Sequence, residues 1–357
     1  MTLENAMNRA LSAFPRLPTR VVTDQFFPVC RAETEASGKL NPQLTPGNSI
    51  MLRYAFTNNR ESGDAFNTAG WTDPSARGSA FTRDHAAAGA LTTLFDPESV
   101  GDLRFQIAGR HVVLRTNDAA GPEVTIAGLI ELGRPYDGNG RRDERHDQIT
   151  YTYTRGSGHH FWKAGATVNH VREDAAMEDG LGGTYLFATL ADFAGGHANE
   201  YRQAFGPIAT GYAVTSLGGF LTDKWSVAQK WTLDLGLRYD FEFLPGGFRE
   251  NTHNFSPRVG LAYHVAPRWV LRAGYGIFFD RYILASLHPA LQRNGAGGWE
   301  QVLTGVAAAN VFHSTGGGAL SLPIPGVAPS IYRVDRNLAT PYSQRRAWPP
   351  NAFWLAT

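Results

Sequence analysis

Residues 231–243 read WTLDLGLRYDFEF. Trp231, Leu233, Leu235, Leu237, Tyr239, Phe241 and Phe243 fall on one side of an extended chain and Thr232, Asp234, Gly236, Arg238, Asp240 and Glu242 on the other, because successive side chains of a strand point to opposite faces. One face is therefore apolar and the other charged, without a miss. The segment is longer than the roughly 9–11 residues with which a tilted strand crosses a bilayer, and aromatic residues stand at both ends, where interfacial girdles lie. Strands of a soluble sandwich are usually shorter, about 5–6 residues.

The pattern continues outward in both directions. Val259, Leu261, Tyr263 and Val265 alternate with Arg258, Gly260, Ala262 and His264; after a turn at Ala266, Pro267 and Arg268, the apolar series resumes at Trp269, Leu271, Ala273, Tyr275, Ile277 and Phe279. Pro267 suits the turn because its φ is fixed and its missing N–H is not needed outside a ladder. Upstream, Ile50, Leu52, Tyr54 and Phe56, then Leu103, Phe105 and Ile107, then Trp162, Ala164, Ala166 and Val168 repeat the alternation, while Leu217–Val227 reads as a strand of mixed parity. Short turns (LTPGN, DPES, RGSGHH, VAQK, APR) take turns with long polar segments at 58–84, 117–145 and 173–211. That rhythm belongs to barrels with short turns on one side and long loops on the other. The expectation is an all-β, antiparallel transmembrane barrel wall of about ten strands up to Phe279, with an irregular lead-in at 1–37, strands and loops at 38–281, and a loop-rich segment at 282–357 without a clear terminal strand.

Composition agrees and closes other routes. Among 357 residues there are 39 Gly, 21 Phe, 13 Tyr and 8 Trp, which favours strands and turns over helical bundles. The formal charge of +1 carries no nucleic-acid footprint. The single cysteine, Cys30, forms neither an internal disulfide nor a multi-cysteine zinc site. No run nears the roughly 18 apolar residues of a membrane-spanning helix, whereas barrel strands average to a polar composition, in keeping with a mean hydropathy of −0.27. The first twenty residues, MTLENAMNRALSAFPRLPTR, lack the basic and apolar regions of an export signal. A barrel has to be exported, so the sequence poses a choice: a fragment of a longer product, or a different fold.

Three stretches, GGFLTDKWSVAQKWTLDLGLRYDFEF, NFSPRVGLAYHVAPRWVLRAGYGIFFDR and RNLATPYSQ, together with GRPYDGNGRRDERHDQITYTYTRGSGHHFWKAGATVNH, resemble the barrels of TonB-dependent outer-membrane receptors. The likeness is to the Oar-like group, which carries a carboxypeptidase-regulatory-like domain, and it runs from about Gly38 to Gln344. It implies a part of a barrel of about 22 strands located in the cell outer membrane. It also implies a plug domain and the TonB energy-coupling protein as partners, with a small nutrient ligand taken up from outside. The ligand class, whether siderophore, cobalamin, glycan or peptide, is not written in the chain. Two other readings stay open: a non-transporting surface barrel or adhesin, and a soluble carbohydrate-binding or hydrolytic β-protein whose apolar faces pack against a second sheet.

Candidate residues follow from the faces. Asp234, Arg238, Asp240, Glu242, Arg258 and Arg272 are candidates to line a polar lumen; simple hydration of an interior or solvent face is the rival reading. Trp231, Tyr239, Phe241, Tyr263, Trp269, Tyr275 and Phe279 are candidates for the aromatic girdles that contact outer-membrane lipid. His159 and His160, with His146 and His170 nearby, look like a metal cluster, but neighbours on a strand point apart and cannot easily chelate one ion. The charged run Arg141, Arg142, Asp143, Glu144 and Arg145 reads as solvated surface at the end of a loop. There is no GxSxG elbow, no HExxH helix and no Walker loop, and DGLGGTYLF lacks the strand-then-helix setting of a phosphate loop. Neither an enzyme nor a resident cofactor or metal is expected.

Overall fold

A computed structural model describes residues 2–17, 21–23, 25–66, 71–282, 284–335 and 338–347; the end of the chain from 348 lies outside the described residues. Eleven strands follow one another in chain order across one antiparallel sheet: β1 (Cys30–Leu40), β2 (Asn48–Ala65), β3 (Arg77–Asp96), β4 (Ser99–Thr116), β5 (Gly140–Ser157), β6 (His160–Met177), β7 (Ala209–Ala228), β8 (Trp231–Phe243), β9 (Phe255–Ala266), β10 (Trp269–Phe279) and β11 (Tyr342–Ala347). A three-residue strand, Gln43–Thr45, pairs with the start of β2. The strands expected up to Phe279 are β1 to β10. Among the described residues β1 and β11 each pair on one side only, so the sheet is open.

The connections fall into two kinds, one at each end of the sheet. Residues 97–98, 158–159, 229–230 and 267–268 make tight turns at one end. Gly158 stands there at φ 59°, a left-handed conformation that costs a residue with a Cβ. The segments 66–76, 117–139, 178–208, 244–254 and 280–341 all leave from the other end.

Several expected loops are shorter than the sequence suggests, because the strands run on. β2 continues to Ala65, β3 begins at Arg77, β6 continues to Met177 and β7 begins at Ala209. The charged run Arg141–Arg145 lies within β5 and not in a loop. In these extensions polar residues occupy both faces, so the alternation fades while the hydrogen-bond ladder persists; β5 and β6 pair without a break from Ser157/His160 to Gly140/Met177. Strands β2 to β7 consequently span 18–20 residues, against 11–13 in β8 to β10.

A second unit sits at the end of the long connections. Its six-stranded sheet has the order Trp299–Thr304, Glu200–Phe205, Thr184–Phe187, Glu123–Ile126, Ile130–Leu132, Trp71–Thr72, with strands contributed by four different connections. Helices α1 (Leu3–Ser12), α2 (Leu190–Gly195) and α4 (Val306–Thr315) cover it, and a one-and-a-half-turn helix, α3 (Leu287–Gln292), packs on β7 through Leu287 against Tyr212 and Val214. Thr2 caps α1 by accepting the Asn5 N–H, and Asn8 ties the helix to Val22 through both its donor and its acceptor. The core of this unit gathers Leu11, Leu17, Ile126, Leu132, Tyr185, Phe187, Phe193 and Phe312, all fully buried. Phe312 is its hub, with ring centroids of Phe14, Tyr185 and Phe187 at 4.6, 4.9 and 5.1 Å.

Both ends of the chain thus depart from expectation. The lead-in at 1–37 holds α1 and the start of β1, and the stretch beyond 282 holds α3, α4, a core strand and β11, which pairs with β10 through Phe279 and Tyr342. Their apolar residues are spaced for a small mixed core, a signal that glycine- and proline-rich surroundings hide.

Candidate functional site

The two faces of the large sheet are sorted by the strand period. On one face, the row Leu52, Gly89, Phe105, Ile149, Val168, Leu217 and Phe241 runs across seven strands in register, every member apolar. Leu52, Phe105, Ile149 and Val168 are between 40% and 48% exposed, too open for a protein core and suited to lipid.

All seven aromatic candidates lie on this face, at three levels. Trp231 stacks on Tyr263 at 4.2 Å, and Trp269 closes the adjacent turn; these three mark the turn end. Tyr239 packs on Phe255 at 4.7 Å, Phe241 on Phe243 at 4.8 Å and Phe279 on Tyr342 at 5.4 Å; these mark the loop end. Tyr275 is opposite Val259, which faces Leu235, so it stands midway between the two rows.

The six polar candidates share the opposite face. Arg238 donates to both carboxylate oxygens of Asp240, at 2.7 and 2.5 Å. Glu242 accepts from the Ser216 hydroxyl and the Tyr282 N–H, each at 3.1 Å, which anchors the last long connection to the sheet. The Arg258 guanidinium lies 4.5 Å from the Phe278 ring centre. Asp234 faces Gly260, and Arg272 faces Ala262, so small residues clear the space around both charges. The same face carries Asp102 with Arg104 at 2.6 Å and Asp84 with Arg110 at 2.8 Å, pairs whose members are too far apart in the chain or too close to a turn to show as alternation.

Above the loop end of this polar face, the folded connections meet it. Gln292, at the end of α3, donates to the carbonyls of Met177, Pro207 and Ile208 where β6 ends and β7 begins. The next residue, Arg293, is buried and binds the Tyr136 hydroxyl, the Glu300 carboxylate and the Asp179 carbonyl. One guanidinium therefore joins three long connections. Burial pushes the Asp179 carboxyl up to about 6, aided by the nearby Asp137. Glu123, 3% exposed, accepts from the Tyr136 N–H at 3.1 Å and the Thr184 hydroxyl at 3.3 Å; burial, with the adjacent Glu131, pushes it up to about 7. None of this cluster has a sequence signature, since its members come from connections far apart in the chain.

The histidines do not converge. His160 bonds Asp223 at 2.7 Å and stacks between Trp162 and Trp225 at 5.3 and 5.2 Å, His170 meets Thr215 at 2.8 Å, and His146 binds Glu144 on the other face. Among the described residues no group of three or more His, Cys, Asp or Glu is placed to hold a metal. DGLGGTYLF forms tight turns leading into the core strand Thr184–Phe187.

Exposed apolar and polar faces on one long-stranded meander, with tight turns at one end and folded loops at the other, define a segment of a transmembrane β-barrel wall. The chain belongs to the family of outer membrane beta barrel domains, which it matches over residues 10–246 and 244–347. Over 72 residues it is 42% identical to the TonB-dependent transporter Oar of Myxococcus xanthus, a match that takes in 19% of this chain and 7% of that protein. The fold is that of solved outer-membrane receptors. The ferripyoverdine receptor of Pseudomonas aeruginosa superposes with a TM-score of 0.51 at 13% identity, over 77% of this chain and 39% of the receptor. The outer membrane transporter YddB of Escherichia coli does so with a TM-score of 0.50 at 14% identity, over 77% of this chain and 35% of that one. The chain spans a small part of the length of these relatives. Its place is the outer membrane; in bacterial barrels of this kind the short turns face the periplasm and the long loops the outside. These relatives are named as transporters and receptors, not as enzymes.

Proposed function

We propose that the chain is a wall-and-loop section of an energised nutrient receptor, in which the polar face lines the transport lumen and the folded loops form its outer door. The observation that carries this reading is the loop unit itself. Three connections and the N-terminal helix share one aromatic core, Arg293 ties those three connections to one another, and Gln292 and Glu242 tie the last of them to the sheet, whereas loops that merely join strands need no common core. In this reading Asp234, Arg238, Asp240, Glu242, Arg258 and Arg272 supply charges to a water-filled passage and to a plug that fills it. The strands β1 to β11 make the wall, and the described residues of 2–29 and 280–341 belong to the door. The TonB protein acts on such a plug from the periplasm, and a small nutrient ligand enters from the loop side.

Sequencing the DNA on both sides of the reading frame tests this directly. The reading expects coding sequence for an export signal and a plug upstream, and for further wall strands downstream. An intact promoter, start and stop with neither would overturn it in favour of a small surface barrel.

A further inference from the structure

The outer face changes character at a definite height. One register step above the apolar row stand Tyr54, Ala87, Ile107, Asp147, His170 and Thr215; the next step holds Phe56, His85, Arg145 and Arg172, and the one above it Asn58, Arg83, His111, Asp143 and Asp174. Because β2 to β6 are nearly twice as long as a bilayer crossing requires, these steps stand at and beyond the outer interface.

The acidic residues of this belt already have partners on the same face. Asp143 bonds His111 at 2.6 Å, Asp147 bonds Arg145 at 2.9 Å and Asp174 bonds Arg172 at 2.8 Å. Among the described residues four arginines of this belt have no acidic partner: Arg60, Arg83, Arg115 and, opposite Val113 on β5, Arg141. All are exposed, and the register gathers the first three round one ring. Arg60 is directly opposite Phe81, with its guanidinium 5.7 Å from the ring centre; Arg83, two residues along the same face, is at 5.1 Å. Val113 faces Phe81 from β4, and Arg115 follows it on the same face. Arg60, Phe81, His111, Val113 and Arg115 line a shallow depression of about 660 Å³, which adjoins one of about 410 Å³ containing Arg83 and His85.

We propose that this depression seats the phosphate groups of lipid headgroups in the outer leaflet. The inference rests on the outer-membrane reading, since it is continuity with the lipid-facing band that brings headgroups to this height. A guanidinium grips phosphate through two parallel N–H donors, and Phe81 holds two of the forks with their stems against an apolar surface. The mixture of apolar floor and cationic rim fits an amphiphile anchored in the membrane below.

The test uses the full chain and vesicles of phosphatidylcholine, alone or with one-tenth diphosphoryl lipid A, the extent of binding being read by flotation at low and high salt. The chain is expected to enter both and to favour the phosphate-bearing vesicles, a preference weakened by salt. A triple variant, Arg60→Gln with Arg83→Gln and Arg115→Gln, should lose about fivefold of that preference per arginine, on the order of a hundredfold in all. Arg53→Gln, on the opposite face of β2, should keep it. Equal binding of the wild-type chain to both vesicles, or a triple variant that retains the preference, overturns the inference and leaves the membrane reading standing. Failure to enter either vesicle overturns both.

Discussion

At Glu123 the protein holds a carboxyl where water cannot reach it. Its proton is retained to about pH 7, against 4.5 for a free side chain, so between those values the folded state binds more protons than the unfolded one. Stability from this group is therefore complete below about pH 4.5, falls as the pH rises, and is lost above about pH 7. The loop unit should be tighter in mild acid than at pH 8, by at most on the order of 3 kcal/mol. Glu123→Gln keeps the acceptor for Tyr136 and Thr184 but cannot ionise. Amide exchange at Val124 and Tyr185 should consequently slow at pH 8 in the variant and lose most of its pH dependence beyond the intrinsic rate. An unchanged profile would show that another group governs the unit, with Asp179 the next to examine.

Among the elements, the two faces of β8 make opposite demands on a substitution. Leu235→Arg places a charge in the middle of the lipid-facing band and should cost about 2–4 kcal/mol of membrane insertion, whereas Asp234→Arg on the polar face should cost well under 1 kcal/mol. Urea-dependent unfolding from vesicles separates the two; similar costs would mean that the faces are not differently solvated. The loop unit answers to a different force. Phe312→Ala removes the hub of its aromatic core and should loosen it by about 3–5 kcal/mol, seen as proteolytic cutting near α2 and α4 while the strand ladder stays protected. Loss of the ladder at the same time would mean that wall and loops fold as one.

The wall was legible in the sequence because a strand with lipid on one side and water on the other has to alternate, and Trp231–Phe243 does so at every position. Its polar and aromatic candidates accordingly fall on opposite faces of the sheet. The strand extensions were not legible. Once β5 and β6 leave the membrane, Arg141–Arg145 can be charged on both sides, and the ladder that holds them is made by the backbone. The loop unit was hidden for another reason. Its core is assembled from Leu11, Ile126, Phe187 and Phe312, which sit in short apolar clusters far apart in the chain and without a shared period, and only their convergence in space gives them meaning.

In the whole molecule, stability is divided between two solvents. The loop unit buries its apolar residues in a core of its own, whereas the eleven-strand sheet leaves Leu52, Phe105, Leu237 and Leu271 between 45% and 49% exposed and depends on lipid to cover them. The central claim is thus that one face of the sheet meets lipid and the other meets water. It is tested most directly by placing single nitroxide labels at positions 233 to 238 of a Cys30→Ser chain in vesicles and measuring collision with oxygen and with a water-soluble nickel chelate. The account predicts a strict two-residue alternation, with oxygen favoured at 233, 235 and 237 and nickel at 234, 236 and 238. Equal access of nickel to all six would contradict it.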